Sequence, residues 1–416
     1  MNKNTIKILI GAGVVIMIAA GIFVFYALRS PAGSNPAADN GQGAFPATGD
    51  NAGIGGPSSS AGNAGANTGI NSLSDLGKAG ALVQLTQNAV SGAAAMGTSS
   101  VYYVEKSSGN IYKIDLSKQA RERVSNTTIL KSFEAQWSPK GHKLAIRYFD
   151  DPQGRSGTKL SIKTILASFA SPASSKTIQT SASTSLQTVV VPQALSALAV
   201  SPSEDKIFYI AQLDGAPKGL VADFKNKNQK IVLDIPFGDF NASWPAKDKI
   251  ALTTKPSYAA EGYFYFLDPK TGSLNRVLGN IKGLTATVSP LGDKILYSAS
   301  GKNGAQTFIF DLSKNTATPF GLPTLPEKCV WSKKDKNMIY CGVPDDLSGD
   351  NLPDSWYQGL GSFNDSLWKK NLLTGETALL SEKFGADIIS PVLSSDDGYL
   401  FFTNKKDGTL WGLKLK

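Results

Sequence analysis

One alternation of apolar and polar residues recurs along most of the chain. An apolar run ends in Trp, Val or Leu. A short polar turn follows, and a second run rich in β-branched and aromatic residues leads away. The clearest copy is 136–146, with Trp137, Ser138, Pro139 and Gly141 ahead of Leu144, Ala145 and Ile146. Others lie at 199–208, 244–251, 288–297, 331–340 and 393–402. Each predicts a strand, a tight turn and a second strand, because Ser-Pro followed by Gly or Asp is turn chemistry between period-two segments.

The spacing of the copies predicts the architecture. Counted from Trp137, Val200, Trp244, Val288, Trp331 and Leu393, the steps are 63, 44, 44, 43 and 62 residues. A period near 43 with two insertions of about 19 residues accounts for them, and four strands per repeat at that period is a β-propeller blade. A seventh, degenerate copy stands at the front. Residues 101–116 align with 400–415 at a constant offset of 299, which puts Ala94 in the reference position. The chain ends on the third strand of its last copy, and Ala81 to Leu85 reads as the outer strand that copy lacks. An N-terminal strand there would close the ring and cover an open edge. The expected fold is therefore an all-β propeller over 78–416, with seven four-stranded blades. Six is the alternative if 78–99 is only linker.

Ahead of the repeats, Ile8 to Leu28 is an uncharged apolar run of 21 residues. As a helix it would span about 31 Å, the thickness of a bilayer core. Lys3 and Lys7 precede it and Arg29 follows. The positive-inside rule then puts the N-terminus in the cytoplasm and the propeller outside, with residues 1–29 as a single-pass anchor in membrane lipid. The run is longer than the apolar region of a cleaved signal peptide, which is the competing reading. Residues 30–77 are Gly, Ala, Ser, Asn and Pro with one aromatic, Phe45, and read as a flexible linker.

Composition narrows the chemistry. Of 416 residues, 41 are Gly and 21 Pro, which excludes a helical bundle. The single His, His142, and two Cys leave a His-based triad or a structural zinc site without enough side chains. The net charge is +9, and residues after 75 carry all of the excess, 39 basic against 30 acidic. Anionic envelope polymers or the membrane surface are plausible neighbours. No basic run or motif points to nucleic acid.

The pattern of Trp137, Ser138, Pro139, Gly141, Lys143, Leu144 and Ala145 resembles the TolB-type, WD-repeat-like propeller family over roughly residues 80–416. The resemblance implies a periplasmic or other extracytoplasmic interaction platform. The Asp usual after Pro in that family is replaced by Lys140, Ser203, Ala246, Leu291 and Lys333. Together with the anchor, this marks a protein other than TolB itself. Propellers of many functions share the fold, so function has to be argued from a site.

The longest loop between second and third strands, about 343–365, is the first candidate, since long loops in compact domains tend to be functional. Trp356 and Tyr357, flanked by Asp354 and Gln358, read as a binding hot spot or sugar-stacking platform, or else as a lid folded over the blade edge. Asp345, Asp346, Asp350 and Asn351 offer oxygen ligands for Ca²⁺, although their spacing is not that of an EF-hand. Ser394, Asp396 and Gly398 fit a sialidase-type Asp-box but coincide with the ordinary repeat turn. Cys329 and Cys341 are each six residues from the hairpin centre near Asp335. They should face each other as a disulfide, or lie as two buried thiols side by side. The expectation is a monomeric, membrane-tethered, extracytoplasmic scaffold binding an envelope protein or glycan. The alternative is a carbohydrate-active hydrolase or lyase of the envelope, for which no catalytic constellation is visible in the sequence.

Overall fold

Five of the repeat turns share a serine at one position, and it organises the turn. Ser138, Ser201, Ser289, Ser332 and Ser394 are all buried. The main-chain N–H of Ser289 donates to Lys294 O at 2.9 Å, and its Oγ accepts from the N–H groups of Asp293 and Lys294. Ser394 repeats the arrangement, with Oγ accepting from Gly398 and Tyr399. Gly141 and Gly292 close their turns at φ +70° and +66°, where a side chain would be strained. The Asp-box at 394–398 is one such turn: Ser394 Oγ and Asp396 Oδ1 lie 2.7 Å apart within it.

A computed structural model describes residues 73–150, 161–169, 186–203, 205–349 and 351–415. They form seven antiparallel four-stranded sheets, six of them in sequence order from inner to outer strand. Blades 1 to 6 span 90–123, 132–191, 195–234, 240–282, 285–319 and 329–381. Blade 7 takes three strands from 388–414 and its fourth from the N-terminal side: Leu82–Gln84 pairs antiparallel with Leu410–Lys414, Leu82 opposite Leu413. The degenerate front copy is a full blade, with Val90–Met96 as its inner strand. The structure thus has seven blades, and residues 82–84 and 90–96 are strands. Packed structure starts before residue 78, where the sequence pattern changes. Asp75–Gly77 forms a 3₁₀ turn, with Leu76 buried against the last strand. The apolar run at 8–28 and most of the linker lie outside the described residues. Among the described residues no helix is long and apolar enough to cross a membrane.

The core is a ring of seams. Seven apolar clusters each join two successive blades. Phe208 and Trp244 sit in the seam between blades 3 and 4, Phe401 and Tyr103 in the seam that closes blade 7 on blade 1. Every blade therefore shields both faces of its sheet against neighbours, and closure leaves no blade with a bare face. Strand alternation also sorts the connections. First-to-second and third-to-fourth turns share one face of the ring, the turn face. Second-to-third loops and the links between blades share the other. Cys329 lies opposite Cys341 in the first two strands of blade 6, and the two are joined as a disulfide with Cα atoms 4.1 Å apart.

Candidate functional site

The long loop of blade 6 leaves the strand Met338–Pro344 and rejoins the sheet at Asp365. In between it lies across the neighbouring blades as a lid. Leu347 O accepts from Ala305 N in blade 5, and Leu352 O accepts from Ser300 Oγ. Asp354 Oδ1 accepts from Tyr258 N in blade 4 at 2.8 Å. Close approach requires glycine at Gly304, φ +99°, where a Cβ would meet Leu347 O at 1.9 Å. Leu347, Leu352 and Trp356 form an apolar cluster with Ala305 and Leu325, so the lid has a small core of its own.

Trp356 is part of that core. Only 2% of it is exposed, and its Nε1 donates to Asp387 Oδ2 at 2.9 Å. The stacking-platform reading fails for this residue, because the one-turn helix Asp354–Tyr357 points the indole inward. Beneath it lies a charged cluster that the sequence pattern did not reveal. Lys328 Nζ, fully buried, sits 2.6 Å from Asp365 Oδ2 and 2.5 Å from Asp387 Oδ1, and 5.1 Å from the Trp356 ring. Phe363 N also donates to Asp387, and Ile388 N to Asp365 Oδ2. Among the described residues Asp365 Oδ1 has no partner. Burial pushes the Asp365 carboxyl up to about 6, against the lowering pull of Lys328. This cluster pins the lid to the seam between blades 6 and 7.

Tyr357 faces the other way. The residue is 42% exposed, and its hydroxyl donates to Glu327. Glu327 also accepts from Thr285 Oγ1 at 3.2 Å, at the start of the inner strand of blade 5. Burial raises the Glu327 carboxyl above its usual range and, with the neighbouring Glu327 charge, raises the Tyr357 phenol. Gln358 is exposed, and its main-chain N–H closes the helical turn on Asp354 O.

The acidic residues of the lid diverge. Asp345 pairs with Lys383, Asp346 caps Ser348, and the Asn351 carbonyl accepts from Ser355 N. Asp350 lies outside the described residues. Among the described residues no three His, Cys, Asp or Glu side chains converge as metal ligands. Short polar loops satisfy such carboxylates locally, through their own backbone N–H groups.

Beside the lid a cavity of about 560 Å³ opens, lined by Tyr258, Lys282, Ser300, Lys302, Gly349 and Asn351 among others. These come from second-to-third-strand loops of three successive blades and the end of the outer strand of blade 4. Tyr258 is 42% exposed. Glu327, Lys328, Asp387, Tyr258, Lys282 and Lys302 were missed by sequence reasoning. Apart from the adjacent Glu327 and Lys328 they are scattered along the chain, and only ring geometry brings them to the lid.

The chain shares this architecture with solved propellers. An oligogalacturonate lyase from Vibrio parahaemolyticus is similar at 9% identity and TM-score 0.53, over 80% of this chain and 93% of that one. TolB from Acinetobacter baumannii is similar at 14% identity and TM-score 0.41, over 77% of each chain. The Cps50 (Swd1) β-propeller domain of Myceliophteria thermophila is similar at 10% identity and TM-score 0.48, over 81% and 100%. The shared property is the fold. No family model matches the chain, and no curated protein matches it.

Proposed function

We propose that this propeller is a membrane-tethered, extracytoplasmic binding scaffold of the cell envelope, working as a monomer, and that its lid face receives a protein or glycan partner. The observation that carries the reading is the distribution of exposed apolar side chains. Among the described residues Leu130, Phe149, Phe237, Tyr258, Tyr357 and Leu360 are exposed on or at the edge of the lid face, against Leu291 and Leu373 in the turns of the other and Val190, Ile231 and Leu379 on outer strands. Aromatic groups in the open are typical anchors for a partner. The apolar run Ile8 to Leu28 supports the tether, and the disulfide suits a compartment outside the reducing cytosol.

Crosslinked capture in native cells tests the reading. Replacing Tyr357 and Leu360 together by Ala should abolish partner capture while the melting temperature changes little. Unchanged capture by a folded variant would refute it. The tether is tested separately: a chain lacking residues 1–29 should move from the membrane to the soluble fraction.

A second reading, as a hydrolase or lyase of envelope carbohydrate, has one observation in its favour. Glu327, with a raised carboxyl, and Tyr357 form a hydrogen-bonded acid–base pair beside the inner strand of blade 5. The fold-level similarity to an oligogalacturonate lyase adds no site argument. Glu327→Gln separates the readings. An enzyme would lose turnover on envelope polysaccharide and keep binding, whereas a scaffold shows no turnover in either form.

A further inference from the structure

We propose that the buried cluster of Lys328, Asp365 and Asp387 is a proton-operated latch for the stretch 351–364 of the lid. A proton on Asp365 locks that stretch onto the seam between blades 6 and 7, and loss of the proton lets it lift. The device does not depend on which partner the lid face receives.

The first support is the way the four carboxylate oxygens are used. Asp387 Oδ2 accepts from two groups of the lid, Trp356 Nε1 at 2.9 Å and Phe363 N at 3.1 Å. Asp387 Oδ1 accepts from Lys328 Nζ at 2.5 Å. Asp365 Oδ2 accepts from Lys328 Nζ and from Ile388 N, each at 2.6 Å. Among the described residues Asp365 Oδ1 alone of the four has no partner. A proton placed there breaks no bond. Placed on Asp387, it would displace either the lysine or the lid. The cluster can therefore take up a proton at Asp365 while Asp387 keeps its grip on Trp356 and Phe363.

The second support is charge and cover. One ammonium faces two carboxylates without solvent exposure, so the ionised cluster carries a net negative charge away from water. The rings of Trp356 and Phe363 cover it on the lid side, 5.1 and 5.0 Å from Lys328 Nζ. Lifting them admits water to that charge. The closed lid thus favours the protonated cluster and the open lid the ionised one. In the closed form burial holds the Asp365 carboxyl at about 6, against about 3.9 in water. By linkage, opening becomes easier as pH rises from about 4 to 6, by at most about a hundredfold, and levels off above.

The other ionisable groups around the cluster are engaged. Asp354 in the lid accepts from Tyr258 N, and the Lys405 ammonium of blade 7 stands 5.1 Å from the Trp356 ring. In the second strand of blade 6, Pro344 lies opposite Asp365, and Cys341 is held in the disulfide. Glu327, next to Lys328, accepts from Tyr357 and Thr285. Its carboxyl is also raised by burial, so it is the competing source of a pH response with the same sign.

Hydrogen exchange on the full-length chain tests the latch, read by mass spectrometry and corrected for the pH dependence of exchange itself. In the parent, protection of peptides from 352–363 should fall about tenfold between pH 5 and pH 7. It should stay below that of the blade 3 strands at both values. Asp365→Asn imitates the protonated form, because its amide can put an N–H where the proton would sit. Its lid should remain protected at both pH values, while Glu327→Gln should keep the parent's response. Lid protection in the parent that ignores pH, or that matches blade 3 and so reports only global unfolding, overturns the inference. So does a parent-like response in Asp365→Asn, or loss of the response in Glu327→Gln. If Asp365→Asn fails to fold, the parent and Glu327→Gln decide: a response in both supports the latch, and its absence from either overturns it.

Discussion

Lys328 shows what a single buried charge does in this fold. One ammonium stands between two carboxylates, all three without solvent exposure, so the cluster carries an excess negative charge. Removing the cation leaves two uncompensated buried carboxylates. Lys328→Met should therefore lower stability by about 3–5 kcal/mol, the usual cost of breaking a buried pair, in a denaturant titration. Asp365→Asn should cost far less, because Lys328 keeps Asp387 and the strained charge is gone. The pH dependence has a definite sign. Unfolded, Asp365 ionises near its usual value of about 3.9, while in the fold it ionises at about 6. Above 6 it is charged in both states and the full burial cost is felt. Between about 6 and 4 the folded state takes up a proton that the unfolded state does not, so its contribution to stability rises as pH falls. Melting curves from pH 7 to pH 4 should show the parent gaining on Asp365→Asn across that window, and parallel curves would contradict the assignment.

Individual elements divide into turns and lid. In the blade 5 turn, the Ser289 hydroxyl accepts two main-chain N–H groups and lies 2.6 Å from Asp293 Oδ1. Ser289→Ala strands two partly buried N–H groups and should cost about 1 kcal/mol by thermal or chemical melting. In blade 6 the disulfide closes a loop with a sequence separation of 12. A short loop constrains the unfolded chain modestly, so Cys329→Ser with Cys341→Ser should cost roughly 2–3 kcal/mol. Intact mass under non-reducing conditions, before and after alkylation, checks that the bond is present in isolated protein. The lid's two aromatic neighbours should behave oppositely. Trp356→Ala empties the lid core and removes a donor from Asp387, for an expected loss of about 3–5 kcal/mol. Tyr357→Ala removes a half-exposed ring and the donor to Glu327, so it should cost only about 1 kcal/mol and act mainly on partner capture.

For the whole molecule, closure is the decisive interaction. Residues 82–84 are the outer strand of the last blade, Val83 is buried, and Leu410 N donates to Thr86 Oγ1. A ring of seams is only as stable as the seam that joins its ends. Deleting residues 78–87 exposes the edge of the strand Leu410–Lys414 and strips cover from blade 7. The melting temperature of the whole domain should drop in one cooperative transition, and an unchanged melting temperature would show that closure does not depend on this strand.

The propeller was legible in the sequence because its cues are local. Strand alternation has a period of two, and a turn needs its serine, proline and glycine within five residues. A blade repeats every 43 residues or so, and hence the number of blades, the shared outer strand and the facing of Cys329 and Cys341 follow from counting. The weakest copy, around Ala94, became visible only through its offset from the last one. The site obeys no such count. Asp354 meets a main-chain N–H 96 residues away, and Lys328 finds its two carboxylates 37 and 59 residues on. Nothing in the loop's composition says which of two adjacent aromatics turns inward. That choice is made by Leu325, Ala305 and Asp387, which the closed ring sets beneath the lid. Short-range backbone preferences fixed the blades. Long-range packing between them decided that Trp356 is core and that Tyr258, Lys282 and Lys302 share a cavity.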